Sequence, residues 1–236
     1  MDSSPSPQSR RLAANVTGVL ARIAAACARS ARAPASVTLV AVTKSVGPDI
    51  IAQLPGLGIR HIGENRVQAA RDKQAALGGL LGLQWHMIGH LQSNKAGAAV
   101  RHFQKIHSLD SLHLAQELDR RAAQSRVTLP VLIQCNLSGE ETKSGIAASE
   151  LGRLLDGLMS LPHLRVEGLM TMAPFSDDPE TSRPVFAGLR ELACQARAET
   201  SLPLHELSMG MTRDFEVAIE EGATLVRVGT ALFDGL

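Results

Sequence analysis

The segment VTLVAVTKSVG, residues 37–47, is an apolar run of strand-forming residues that ends in a lysine, Lys44. An ammonium at the end of a buried strand loses water at a cost of several kcal/mol unless it becomes neutral. The chain also uses lysine sparingly: of 24 basic side chains only Lys44, Lys73, Lys95, Lys105 and Lys143 are lysine. Composition therefore does not place one here by default.

Outward from this segment the pattern repeats to the C-terminus. Short apolar runs (VTLVAVT, IRHIG, QWHMIG, KIHSLD, PVLIQCN, RVEGLMTM, HELSMG and TLVRVG) alternate with longer amphipathic stretches. The helical candidates include ENRVQAARDKQAAL, SLHLAQELDRRAAQS, ASELGRLLDGLMS, SRPVFAGLRELACQARAE and TRDFEVAIEEG. Successive parallel strands need helical crossovers, and eight such units close a barrel that has no exposed edge. At 236 residues the chain is close to the roughly 250 of a single α/β barrel. An open doubly wound sheet is the alternative, and it is disfavoured because the first strand-to-helix turn, TKSVGP, has no G-x-G-x-x-G fingerprint. The expected organisation is one barrel domain over residues 9–236, preceded by a disordered Ser/Pro tail over residues 1–8. The chain stops soon after its eighth strand, at ALFDGL, and the N-terminal helix is expected to fill the slot of the missing last helix.

That helix, within SRRLAANVTGVLARIAAACARSARA, is arginine-rich and acid-poor like a transit peptide. Its Leu12, Val16, Val19, Leu20, Ile23 and Cys27 nevertheless recur at helical spacing, which favours an integral element with one buried face. No apolar run is read as a membrane span. A formal charge of +1, one Trp and no Tyr argue against nucleic acid as the main partner, since phosphate neutralisation and base stacking need basic and aromatic surface. Cys27, Cys135 and Cys194 are odd in number and widely spaced; read as reduced thiols, they suit a cytoplasm.

In an α/β barrel the active site lies at the C-terminal strand ends. Those ends carry Lys44, Glu64 and Asn65, His86, Ser108 with Asp110, Asn136, Thr171, Ser208, and Gly229 with Thr230. The last two are the most informative. SMGMTRD (208–214) and VRVGT (226–230) place glycines and hydroxyls where barrels frequently bind phosphate. An ordinary helix start, with Thr212 as N-cap and Asp214 in the first turn, accounts for the same residues. A lysine at one strand end and a phosphate cradle at another suit a ligand with both a carbonyl and a phosphate. Pyridoxal 5'-phosphate fits, and so does the phosphorylated sugar of a Schiff-base aldolase. His86 and His90 straddle a strand end and so do not share the face a metal would need. Cys135, inside a strand, reads as a small buried hydrophobe. Ser111 reads as a helix cap.

With these blocks in view, the chain resembles the pyridoxal phosphate homeostasis proteins. The resemblance runs through VAVTK (40–44), IGENRVQ (62–68), WHMIGHLQSNK (85–95), HSLDS (107–111), CNLSGEETKSGI (135–146), GLMTMAP (168–174) and SMGMTRDFEVAIEEGATLVRVGTALF (208–233). It implies a single (β/α)8 barrel of the alanine racemase N-terminal type with pyridoxal phosphate at its mouth. By the same resemblance Lys44 carries the cofactor as an imine. Ser208, Gly210, Gly229 and Thr230 hold its phosphate, Arg227 faces the pyridine nitrogen, and Asn65, His86 and Met170 line the ring and its oxygen. Arginine stays protonated, so a pyridine facing it remains unprotonated and is a weaker electron sink. The chain also has no tyrosine to act as the second base of a racemase, a role left to His86 or Cys135. The implied function is to hold the cofactor for buffering or delivery, with apo-enzymes as possible recipients and a monomer expected; an amino acid racemase is the alternative. Many members of the family have a second lysine where this chain has Val46, and often a tyrosine where it has Arg66. A lysine-to-lysine relay would then fall to Lys143.

Overall fold

The computed structural model describes residues 6–79, 82–138 and 144–236. Eight parallel strands, each on an expected apolar run, close into a barrel in sequence order. They are β1 (Thr38–Val42), β2 (His61–Glu64), β3 (Gln84–Met87), β4 (Lys105–Leu109), β5 (Leu129–Gln134), β6 (Leu164–Met170), β7 (Glu206–Ser208) and β8 (Leu225–Val228). Closure is made by β1 on β8, with Ala41 beside Val228 and Val40 beside Arg227.

The helices are α1 (Pro7–Arg29), α2 (Pro48–Ile51), α3 (Val67–Ala76), α4 (Ala96–His102), α5 (Leu112–Ser125), α6 (Leu151–Leu158), α7 (Arg183–Glu199), α8 (Phe215–Glu220) and α9 (Thr230–Phe233). The short α2, α4 and α9 lie outside the helices anticipated from the pattern, because four to seven residues are too few to display a helical period. Ser111 caps α5 as expected, its hydroxyl accepting from the Leu114 amide.

The last helix, α9, is a single turn, and α1 packs beside it and α8. Arg22 and Arg29 pair with Glu216 and Glu220 of α8. Asn15 donates to the carbonyls of Leu232 and Asp234. The helix begins at Pro7 with Ser6 as its cap, so the expected tail gives up Pro7 and Gln8 to it: proline is favoured in the first turn, where its missing N–H is not needed. Leu12, Val16, Val19, Ile23, Ala26 and Cys27 are buried, each side chain of Val or Leu size contributing about 1.5–3 kcal/mol. Leu20 lies at the outer edge of that face and is 41 % exposed. By length and composition alone α1 could cross a membrane, yet its apolar stripe lies on the barrel.

The barrel interior is only partly apolar. Val40, Leu132, Met170 and Leu225 form a small cluster separate from the main core, with Met172 packed on it. Near the N-terminal ends of the strands Lys105 is clamped between Glu167, at 2.7 Å, and Glu206. The cluster is half-buried, with Glu206 the most exposed of the three, so solvent screens it in part.

Candidate functional site

Strand parity decides which of the expected residues reach the C-terminal mouth. Side chains alternate across a strand, so Val40, Val42 and Lys44 follow one face of β1 while Ala41 and Thr43 follow the other. Lys44 is exposed just beyond β1. Thr43, fully buried behind it, donates its hydroxyl to Glu64 Oε1 at 2.6 Å. Lys73 of α3 donates to the same oxygen at 2.6 Å and to the Thr43 carbonyl at 2.7 Å. Glu64 is thus a brace behind the lysine turn and not a mouth residue. Asn65, one position on, is exposed at the mouth.

On the neighbouring strand Gly229 comes against β1. A Cβ there would stand 3.1 Å from the Val42 carbonyl and 3.3 Å from Val42 Cβ, so only glycine fits without a shift. Gly210, after β7, has φ +88° and would place a Cβ 2.5 Å from Ala218 Cβ and 2.8 Å from Phe215 Cα. Gly229 thus lets the chain after β8 lie close against β1, and Gly210 lets the chain after β7 lie close against α8. Thr230 is exposed just after Gly229, and Thr212 accepts from the Ala231 amide at 3.4 Å. Thr212 is not the N-cap of α8. That position belongs to Asp214, whose Oδ1 takes the Met211 amide and whose Oδ2 takes the Ser182 hydroxyl at 3.2 Å.

Ser208 is redirected. Its hydroxyl is fully buried inside the barrel, accepting from Arg227 Nη1 at 2.6 Å and sharing a 2.8 Å bond with His107 Nδ1. A hydroxyl so engaged does not serve a phosphate at the mouth, and Thr212 is the hydroxyl next to the 229–231 turn. The sequence signal was present, since Thr212 lies within the same SMGMTRD segment. Arg227, 3 % exposed, also donates to the Thr171 carbonyl at 2.9 Å. Burial pushes its guanidinium down to about 10, against a partial restoring pull from Asp214, and it remains a cation at neutral pH.

His86 has both nitrogens occupied, Nε2 with His61 Nδ1 at 2.9 Å and Nδ1 with His107 Nε2 at 2.8 Å. It offers no free nitrogen to a ligand, and burial, with the nearby His61 and Lys105, pushes it down to about 3. Met170 is fully buried in the interior cluster; Met172, further toward the mouth, packs over that cluster and is half-buried. Among the other strand-end residues, Ser108 is buried away from the mouth with no partner among the described residues, and Thr171 donates its hydroxyl to the Cys135 carbonyl. Asp110 pairs with His90 at 3.2 Å. Asn136 accepts from the Ser138 hydroxyl at 2.9 Å. Cys135 is 1 % exposed within the main core, and burial pushes its thiol up to about 12. Lys143 lies outside the described residues.

Known proteins resemble this chain along most of its length. The family model for the alanine racemase N-terminal domain matches residues 20–235. A pyridoxal phosphate homeostasis protein of Aquifex aeolicus is 45 % identical over 215 residues, covering 91 % of this chain and 94 % of its own. The chain belongs to that family. PipY of Synechococcus elongatus, a structure with PLP bound, is 39 % identical with a TM-score of 0.83, over 94 % of this chain and 99 % of its own. An alanine racemase of Clostridium difficile, at 15 % identity and a TM-score of 0.75, shares the fold over 93 % of this chain and 56 % of its own.

The residues present fit pyridoxal phosphate. The site offers an exposed amine, two threonine hydroxyls, two glycines where a Cβ would obstruct, and one buried cation below them. These suit an aldehyde, an anionic ester and an unprotonated ring nitrogen.

Proposed function

We propose that this protein binds pyridoxal 5'-phosphate through Lys44 and holds it reversibly for intracellular vitamin B6 homeostasis, as a buffer or a donor to apo-enzymes. One observation carries the reading: β1 and β8 are paired neighbours, with the Val42 carbonyl against Gly229, so the Lys44 amine and the Thr212, Thr230 and Ala231 group stand at adjacent strand ends. A single small ligand can engage both. When bound, the cofactor supplies an aldehyde that an amine captures and releases. Lys44 contributes that amine. Gly210 and Gly229 leave room for the phosphate, Thr212 and Thr230 donate to it, and Arg227 donates toward the ring from below, with Asn65 and Met172 at its edges.

The family resemblance to a racemase extends to the fold, while the groups that would have to substitute for a second base are disqualified here. His86 has no free nitrogen, and the Cys135 thiol is held neutral by burial and faces the core. The sequence contains no tyrosine. These features favour holding the cofactor over turning substrate over. A cytoplasmic setting is supported by three unpaired cysteines, of which Cys194 is exposed.

The decisive experiment is incubation with pyridoxal phosphate, reduction with borohydride and peptide mapping. One adduct on Lys44 is expected, absent from Lys44→Ala. An adduct elsewhere, or none, overturns the reading. Sustained Lys44-dependent racemisation of an amino acid panel would overturn the holding role alone.

A further inference from the structure

The barrel interior carries a hydrogen-bonded chain that cofactor retention does not require. Three histidines come from consecutive strands: His61 from β2, His86 from β3 and His107 from β4. Each lies two residues beyond the level paired with the one before, since His61 is beside Gln84 and His86 beside Lys105. A step of two keeps the side chains on the inner face, and the ring centroids are 5.1 and 5.0 Å apart. The chain then runs through Ser208 to Arg227, with successive bonds of 2.9, 2.8, 2.8 and 2.6 Å from His61 onward.

Its polarity follows from the hydrogen-bond inventory. Arg227 can only donate, so Ser208 Oγ accepts from it and its own proton needs an acceptor. His107 Nδ1 is the partner at hand. His107 must then carry its proton on Nε2 and donate to His86 Nδ1, and His86 Nε2–H donates to His61 Nδ1. This leaves Nε2 of half-buried His61 as the terminal donor. His61 lines a cleft of about 400 Å³ at the N-terminal ends of β1 and β2, bounded by Thr38, Gly58 and Arg60 and by Leu20 and Ile23 of α1. The charged groups around the chain are Arg227 at one end, and Lys105 with Glu167 and Glu206 near the other. Burial and the Lys105 and Arg227 cations hold His86 and His107 below their ordinary range, so both are neutral at pH 7.

We propose that Ser208, His107, His86 and His61 form a proton relay from Arg227 to the cleft at the N-terminal ends of β1 and β2, the exit for the proton of a pyridine nitrogen brought against Arg227. The inference rests on the cofactor reading above. Arg227, already a cation, can neither accept that proton nor tolerate a pyridinium beside it. The pyridine nitrogen would give its proton to the lone pair of Ser208 Oγ that Arg227 leaves open, as the Ser208 hydroxyl proton passes to His107 Nδ1. His107 Nε2–H then passes to His86 Nδ1, His86 Nε2–H to His61 Nδ1, and His61 Nε2–H to water in the cleft. One proton enters, one leaves, and each imidazole exchanges tautomer.

Two measurements test it. In the cofactor-free, ¹⁵N-labelled full chain at pH 7, imidazole nitrogen resonances should report neutral Nε2–H tautomers for both His86 and His107; an imidazolium or an Nδ1–H tautomer at either overturns the relay. On mixing with pyridoxal phosphate in weak buffer, an indicator dye should record proton release in step with the absorbance change of Lys44 attachment. In His86→Phe that release should lag by on the order of tenfold or more. Release keeping pace with the wild type overturns the proposal. If His86→Phe does not fold, His61→Gln, at the half-buried end, gives the same comparison. Absence of a borohydride adduct on Lys44 in the wild type would remove the cofactor reading, while the resonances decide the chain's polarity without cofactor.

Discussion

Replacing Lys73 by methionine isolates the carboxylate on which the Lys44 turn rests. Glu64 is fully buried; its Oε1 is held by Thr43 and Lys73, and its Oε2 has no partner among the described residues. Methionine keeps much of the lysine stem but leaves the carboxylate with one hydroxyl donor. Removing one partner of a buried pair costs about 3–5 kcal/mol. In a chain of 236 residues each kcal/mol moves Tm by about 2–4 °C, so a fall of about 6–20 °C is expected. The reverse change, Glu64→Gln, should be milder, about 1–2 kcal/mol. The reason is geometric: the Lys73 side chain is 14 % exposed and that of Glu64 0 %, so the ammonium can reach water and the carboxylate cannot. The double variant should resemble Glu64→Gln, since a neutral amide no longer needs the ammonium. Thermal unfolding of the four proteins followed by circular dichroism decides the matter. A Lys73→Met midpoint within about 2 °C of the wild type, or a Glu64→Gln protein less stable than Lys73→Met, would refute the brace.

Acidification should destabilise the fold through the interior histidines. Their folded pKa values lie below the ordinary 6.5, to about 3 for His86 and well below for His107, chiefly through burial. Below pH 6.5 the unfolded chain then binds more protons than the folded one, so stability is complete above that pH and declines as pH falls toward the folded values. Two such groups give a slope approaching about 2.7 kcal/mol per pH unit; a Tm unchanged from neutral pH to pH 5 would contradict it, and His86→Phe should lessen the slope. Gly210→Ala should cost about 1–3 kcal/mol in backbone strain at φ +88° and a similar amount in overpacking against α8. Gly229→Ala, with ordinary φ and its nearest contact at 3.1 Å, should cost less stability while weakening cofactor retention, as melting and dialysis of the loaded protein would record.

Much of this architecture is legible in the residues. Each apolar run became a strand because it had no competing local signal, and the crossovers between them fixed the parallel order. The lysine at residue 44 and the Gly-Thr at residues 229–230 could be placed at the mouth from strand ends alone. Glu64 misleads in the sequence: it ends a strand beside Asn65, yet one step of parity turns it outward to Lys73. Ser208 misleads differently, because its strand face is readable but its distance from Arg227 is not.

By itself, then, the sequence determined what each strand offers and which of its side chains share a face. Alternation is a property of a single extended chain, so His61, His86 and His107 each fall on a definite face of IRHIG, QWHMIG and KIHSLD, while barrel closure sets which face turns inward. Only the tertiary structure decided that these three rings touch, that Ser208 belongs to Arg227, and that Thr212 stands next to the 229–231 turn. Those contacts depend on how far each strand is staggered against the next when the barrel closes. That stagger is set jointly by all eight strands and the helices packed on them, and no one segment encodes it.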